Sequence, residues 1–160
     1  MGSTSDMPVM GKAAQLLDDF EIPFEINALS AHRTPAEVER FATEAASRGL
    51  KVIIAAAGMA AALPGVIAAN TTLPVIGVPI ASTLDGIDAL LSIVQMPPGI
   101  PVATVGINGG YNAALLAVEM LALSDERIAA RFAEFKKGLA NKIVKANAEL
   151  AEIKYKFKTN

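Results

Sequence analysis

The sequence predicts an α/β fold: a doubly wound parallel sheet with helices on both faces. Three observations lead there. The chain has 160 residues, enough for one core and too few for two of ordinary size. Hydrophobic residues make up 52% of it while aromatics are only 5%, so the apolar mass is small and aliphatic, as in strands buried on both faces. Strand-like and helix-like runs also alternate along most of the chain.

The elements follow in order. Met7, Met10, Ala14, Leu17 and Phe20 recur at helical spacing, after Gly2-Ser3-Thr4-Ser5-Asp6 with its cap candidates Ser5 and Asp6. Pro23 to Leu29 alternates as a strand, and Thr34-Pro35 opens a helix to about Arg48, closed by Gly49. Lys51 to Ala57 is a continuous apolar strand. Gly58 begins a small-residue stretch to Ala69 that is long enough for a helix. Leu73 to Pro79 is the next strand, Leu84 to Val94 a helix, Met96 to Gly99 a turn, Ile100 to Ile107 a strand and Asn112 to Leu121 a helix. After the cap Ser124-Asp125-Glu126, the stripe Ile128, Phe132, Phe135, Leu139, Ile143, Ala146, Leu150 and Ile153 runs for about seven turns. So long a stripe either wraps its own sheet or packs on another subunit, and a lone helix of this kind is marginal, which favours the subunit. The whole chain 1–160 is expected to be one domain, an αβ core over 1–123 and an oligomerisation helix over 124–160. One position conflicts with the plan. A doubly wound sheet places its first strand centrally, yet only Met1 precedes the first loop, so a short further N-terminal segment is expected.

Charge and reactive groups narrow the function. Fourteen basic and sixteen acidic residues leave a net charge of −2, with no electrostatic footprint for nucleic acid or an anionic membrane. No apolar run reaches the ~18 residues of a membrane span. The chain has no Cys, which excludes disulfides and thiolate chemistry and points to the cytosol. Met1-Gly2-Ser3 lacks the basic flank and apolar core of a signal peptide. There is one His, and no pairing of carboxylates suggests a metal site.

Ligands of open α/β sheets sit beyond the carboxyl ends of the strands. The loops expected there are Gly2 to Asp6, Ser30-Ala31-His32-Arg33-Thr34-Pro35, Ala57 to Gly65, Ala81-Ser82-Thr83 and Asn108 to Asn112. Gly2 to Asp6 offers amides at a helix start, hydroxyls and a carboxylate, which suits a phosphate beside a ribose; it reads equally well as an ordinary helix cap. An exposed loop His beside an Arg is more often incidental, but on this rim His32 can move a proton near neutral pH while Arg33 clamps an anion. Gly58 to Gly65 permits either close approach to a flat ligand or tight packing of a helix on the sheet. Asn108 to Asn112 is a turn and cap, with Asn112 able to line the rim.

These residues together resemble the PurE family, the 5-(carboxyamino)imidazole ribonucleotide mutases of bacterial purine synthesis. The resemblance runs from Met1 into the last helix. It is carried by Gly2-Ser3-Thr4-Ser5-Asp6, Ser30-Ala31-His32-Arg33-Thr34-Pro35, Ala62-Leu63-Pro64-Gly65, Pro74-Val75-Ile76-Gly77-Val78-Pro79 and Ser92-Ile93-Val94-Gln95-Met96-Pro97. It implies a flavodoxin-like, three-layer αβα fold, a homo-octamer joined by the C-terminal helices, and carboxylate transfer from an exocyclic nitrogen to a ring carbon through transient CO2, without cofactor or metal. It implies His32 as general acid/base. Ser3, Ser5, Ser30 and Arg33 would hold the phosphate and Asp6 the ribose hydroxyls, with Gly2 and Ala31 beside them. The backbone from Gly58 through Ala61 to Leu63 would face the imidazole. Where the family has Gly and His, this chain has Met59 and Ala62. The alternatives are an aminoimidazole ribonucleotide carboxylase using CO2 directly and a non-catalytic nucleotide-binding module.

Overall fold

The computed structural model describes residues 1–160. A 3-10 turn (Thr4–Asp6) leads into α1 (Met7–Asp19), followed by α2 (Pro35–Glu44), β1 (Ile53–Gly58), α3 (Leu63–Ala69), β2 (Val75–Ile80), α4 (Ile87–Val94), β3 (Ala103–Thr104), α5 (Gly110–Ala122) and α6 (Glu126–Glu152). The strands form one parallel sheet in the order β1-β2-β3, with Ile53 opposite Val75 and Gly58 opposite Ile80.

The period of two along each strand divides the core into two faces. Ile53, Ala55 and Ala57 pack with Val38 and Ala42 of α2, Leu63 and Ile67 of α3, and Ile93 of α4. Ala56, Ile76, Val78 and Ile80 turn the other way, onto Ala113 and Ala117 of α5. On that side α1, α5 and the first turn of α6 meet through Ala13, Leu16, Ala114, Val118 and Ile128. The result is helix, sheet, helix: the expected α/β architecture. Its small side chains let the layers approach closely. At Gly77 an added Cβ would run into Ile93 Cγ2 and stand 3.0 Å from Val102 Cγ1, so α4 can lie on β2 only over a glycine. Asp125 caps α6 by accepting from the amides of Arg127 at 2.9 Å and Ile128 at 3.1 Å.

Several boundaries differ from the sequence expectation, each for a physical reason. Pro23 to Leu29 forms no strand, because its only ladder partner is one residue. The Met1 ammonium donates to Asn27 O at 2.9 Å, and Leu29 N donates to Met1 O at 2.9 Å. On the opposite side Gly2 N donates to Ala56 O at 3.0 Å. Met1 and Gly2 thus bridge residues 23–29 to β1 by a single rung. The run Ile100 to Ile107 shrinks to β3, with Pro101 lacking a donor at its start. The helix expected from Leu84 begins at Ile87, since Leu84, Asp85 and Gly86 have φ of 46°, 52° and 86°. The helix expected from Gly58 begins at Leu63: Gly58 ends β1, and Met59 and Ala61 take φ of 57° and 43°. α2 ends at Glu44, ahead of the expected Arg48, and turns carry the chain to Gly49 at φ 90°.

In α6 only Ile128 is buried. Phe132 and Phe135 pack on Phe20, with ring centroids 6.5 and 5.7 Å away. Beyond them Leu139, Ile143 and Leu150 stand 46%, 72% and 57% exposed.

Candidate active site

β1 ends at Gly58 and β2 at Ile80, and the loops after them open on the same rim as the turns 2–6 and 30–34. Between these segments lies a cavity of about 660 Å3. Of the candidates, Gly2, Ser3, Ser5, Asp6, Ser30, Ala31, His32, Arg33, Gly58, Ala61 and Leu63 line it and Asn112 does not. Gly58, Ala61 and Leu63 come to the cavity because β1 ends on that rim, while residues 2–6 and 30–33, which follow no strand, are brought there by the rung of Met1 and Gly2 between Asn27, Leu29 and Ala56.

The loop 2–6 is braced from within. Asp6 is 6% exposed; its Oδ2 accepts from Ser3 N at 3.2 Å and its Oδ1 from Ser5 Oγ at 3.4 Å, while Ser3 Oγ accepts from Ser5 N at 3.3 Å. This reciprocal cap fixes two hydroxyls at the start of α1, where the helix dipole favours an anion. Each Asp6 oxygen retains a lone pair, so the carboxylate braces the loop without exhausting its capacity to accept.

The loop 30–34 is closed by Ser30 N donating to Thr34 Oγ1 at 3.0 Å and Thr34 N to Ser30 O at 2.8 Å, with Pro35 then starting α2. Arg33 ties the two loops together: its Nε donates to Ser30 Oγ and its Nη2 to Gly2 O, both at 3.3 Å. Both partners are neutral, so the guanidinium charge is not cancelled by a carboxylate and stays available to an anion. His32 is exposed and hydrogen-bonded to nothing in the chain, leaving both ring nitrogens open to a ligand.

The wall opposite is backbone. A Cβ at Gly58 would approach Ile80 O to 3.2 Å. Ala61 N donates to Gly58 O at 3.0 Å, holding the turn in which Met59 and Ala61 are left-handed. Ala61 and Leu63 are 4% and 3% exposed, so the wall is small and apolar where it meets the core.

Ala57, Met59, Ala60, Ala62 and Ile80 also line the cavity. Ile80 was missed because an aliphatic residue ending a buried strand carries no polar signal. Ala81 and Ser82 of the expected rim are present; Asn108 to Asn112 does not reach the cavity. Asn108 instead accepts from Ala81 N at 3.0 Å, bracing the loop after β2. Met96 packs behind the start of α3, where an added Cβ at Gly65 would meet its sulfur at 3.3 Å.

The arrangement sets a guanidinium with no carboxylate partner, one exposed imidazole and an uncharged wall around one cavity. Such a site suits a flat, phosphate-bearing molecule that gains and loses a proton.

Comparison with known proteins agrees. The pattern of the AIR carboxylase family matches residues 1–142. The N5-carboxyaminoimidazole ribonucleotide mutase of Pyrococcus abyssi is 56% identical over 140 residues, 87% of this chain and 80% of that protein. That of Mycobacterium tuberculosis is 54% identical over 154 residues, 96% of this chain and 88% of its own. A phosphoribosylaminoimidazole carboxylase of Candida glabrata is 53% identical over 156 residues; the match takes in 97% of this chain and only 27% of that longer protein. Among solved structures, PurE of Treponema denticola superposes with a TM-score of 0.86 at 33% identity, covering 94% of each chain.

Proposed function

The chain belongs to the AIR carboxylase family, and from that premise we propose that it is an N5-carboxyaminoimidazole ribonucleotide mutase, an isomerase of purine biosynthesis. The observation that carries the reading is the convergence of His32, Arg33 and the 2–6 loop on one cavity.

The reaction moves a carboxylate between two atoms of one substrate. The bond from the exocyclic nitrogen to the carboxylate carbon breaks, its electron pair stays on nitrogen, and His32 supplies the proton that completes the amine. The adjacent ring carbon then attacks the released CO2. The new carbon–carbon bond leaves one proton too many on that ring carbon, and His32 takes it back, so the proton account closes over a cycle. An imidazole suits both directions because it exchanges protons near neutral pH. Arg33 and the hydroxyls of Ser3, Ser5 and Ser30 hold the phosphate, and Asp6 receives the ribose hydroxyls. The Gly58 to Leu63 backbone lies against the imidazole and keeps CO2 from escaping between the two steps. Binding energy gathered at the phosphate thereby positions a reacting centre that the chain itself barely touches.

The assembly proposed is a homo-octamer joined through α6, working in the cytoplasm on a small nucleotide and neither nucleic acid nor membrane. No helix is long and apolar enough to cross a membrane.

A spectroscopic assay on two substrates tests the function. Turnover of the N-carboxylated ribonucleotide supports the mutase; turnover only of aminoimidazole ribonucleotide with bicarbonate would favour the carboxylase reading that the Candida glabrata relative suggests. His32→Asn is expected to lower kcat by about 10²- to 10⁴-fold, the usual worth of a general acid/base, with nucleotide binding retained. Near-parental kcat in that variant would remove His32 from the proton transfer.

A further inference from the structure

The cavity straddles the carboxyl end of β1, and its two sides differ in chemistry. On one edge of the strand Gly2 N donates to Ala56 O at 3.0 Å, so the loop 2–6 and, through Arg33, the loop 30–34 stand on the side away from β2. On the other edge Gly58 pairs with Ile80, and the chain passes from β2 into Ala81 and Ser82. The first side carries the hydroxyls, carboxylate, guanidinium and imidazole already described. The second is built of residues 57–63 and 80–82, and among them Ser82 alone has a side-chain O–H or N–H.

Ser82 is exposed, and its hydroxyl makes no hydrogen bond within the chain. Its Cβ lies 3.7 Å from the point that a Cβ on Gly58 would occupy, which puts the side chain beside the bare backbone of the wall. The loop that carries it is fixed from behind. Asn108 N donates to Pro79 O at 2.8 Å and Asn108 Oδ1 accepts from Ala81 N at 3.0 Å, so one residue holds the chain on the approach to Ser82. Asn108 is left-handed at φ 56°, a conformation its residue type tolerates. Beyond Ser82, Thr83 Oγ1 donates to Asp88 Oδ2 at 2.6 Å, and buried Gly86 folds so closely over Ala81 that a Cβ there would stand 3.0 Å from Ala81 Cα. Ser82 is thus a free donor on a braced loop, across the end of β1 from the anion-binding loops.

A nucleotide held by its phosphate at residues 2–6 and Arg33 lays its ring across the end of β1, toward Gly58 and Ser82. Resting on the mutase reading above, we propose that Ser82 is the residue that recognises the migrating carboxylate, with Asn108 as the residue that positions it. The Ser82 hydroxyl donates to a carboxylate oxygen of substrate and product, and to an oxygen of the CO2 between them. It keeps its own proton throughout, and His32 remains the proton carrier. A neutral donor suits this place better than a cation. The carboxylate loses its charge as CO2 departs, so a cation would hold the ground state and oppose the first step, whereas a hydroxyl favours the anion modestly and rotates to follow the group from nitrogen to carbon.

The test compares two ribonucleotides that differ only in the carboxylate, 4-carboxy-5-aminoimidazole ribonucleotide and aminoimidazole ribonucleotide. Their binding to the parent, Ser82→Ala, Asn108→Gly and Asn108→Asp is measured by calorimetry. Ser82→Ala is expected to weaken the carboxylated ligand about tenfold or more, the usual worth of a hydrogen bond to a charged group, and to leave the other within about twofold. Asn108→Gly keeps the left-handed turn and loses the acceptor, so it should show the same selective loss to a smaller degree. Asn108→Asp keeps an acceptor oxygen and should restore the parental selectivity. The proposal is overturned if Ser82→Ala weakens both ligands equally or weakens neither. Should Ser82→Ala fail to fold, the Asn108 pair decides: selective loss in Asn108→Gly with recovery in Asn108→Asp supports the proposal, and any other pattern overturns it. The mutase reading fails separately. A parent that discriminates through Ser82 but does not turn over the N-carboxylated ribonucleotide loses that reading and keeps this one, whereas a parent that binds neither ligand overturns both.

Discussion

Asp6 is the one buried charged side chain, and its replacement separates two contributions that the geometry joins. Asp6→Leu removes both acceptors, at 3.2 Å to Ser3 N and 3.4 Å to Ser5 Oγ, and leaves a part-buried amide unpaired. Two charge-assisted bonds of that length are worth together about 2 kcal/mol, and the orphaned amide adds about 1 kcal/mol, giving roughly 3 kcal/mol. Asp6→Asn differs: its amide oxygen still accepts from Ser3 N, and the Ser5 hydroxyl can rotate to accept from its NH2. Only the charge is lost, at about 1 kcal/mol including its favourable place at the start of α1. For a chain of this length the midpoints should fall by roughly 6–12 °C and 2–4 °C. Thermal unfolding at pH 7 and one fixed protein concentration measures both shifts, and urea unfolding the underlying free energies. The leucine variant should also raise KM for the phosphate-bearing substrate, because it frees the Ser3 amide and the Ser5 hydroxyl. The bracing argument is refuted if Asp6→Leu matches the parent within about 0.5 kcal/mol, or if Asn is as damaging as Leu.

Two further outcomes are expected. The Arg131 guanidinium, hydrogen-bonded at 2.7 Å, holds the Glu21 carboxyl below the usual carboxylate range. A carboxylate whose pKa is lowered by folding adds stability that is present above its unfolded pKa and lost as pH falls through the lowered folded value. Arg131→Met should therefore differ from the parent most near neutral pH and least in acid, with a remainder from the 2.8 Å bond of Arg131 to Phe20 O; a difference independent of pH would contradict the pairing. Ile143→Glu sits on a residue 72% exposed within its own subunit, so subunit folding should change by less than about 0.5 kcal/mol, while light scattering should show a smaller assembly than the parent's. An unchanged mass would remove this part of α6 from the proposed interface.

The sequence was most informative where a pattern is local. The stripe from Ile128 onward became α6 nearly to its last residue, ending at Glu152. The buried runs 51–57 and 73–79 became β1 and β2 within two residues, because continuous aliphatic stretches bounded by turns have few other uses. The loop after β1 met the cavity for a reason equally accessible to sequence, since parallel strands end on one side, whereas residues 2–6 and 30–33 reach it through a single backbone rung that no side chain announces. The misplaced boundaries depended on non-local or purely backbone facts. Phe24 and Ile26 alternate as a strand should, but a ladder needs a neighbour, and the neighbour is a single rung at Met1. Nothing in the side chains of Met59, Ala61 or Leu84 announces a left-handed backbone; of these turns only Asp85-Gly86 carries a residue type that favours it. Ile80 carries no such signal because it is a plain aliphatic, and Asn108, expected on the rim, supports the cavity without touching it.

Those left-handed residues have a consequence for how the chain can change. An L side chain in that conformation costs about 1–2 kcal/mol, and the turn after β1 carries two, at Met59 and Ala61. A glycine at either position would recover that energy and add freedom to the same backbone. Because glycine also gives the unfolded chain more conformations to lose, the net gain from either replacement is smaller than the strain it removes. The turn thus carries its strain inside the folded molecule, where a change at Met59 or Ala61 alters the wall of the cavity and the stability of the chain together.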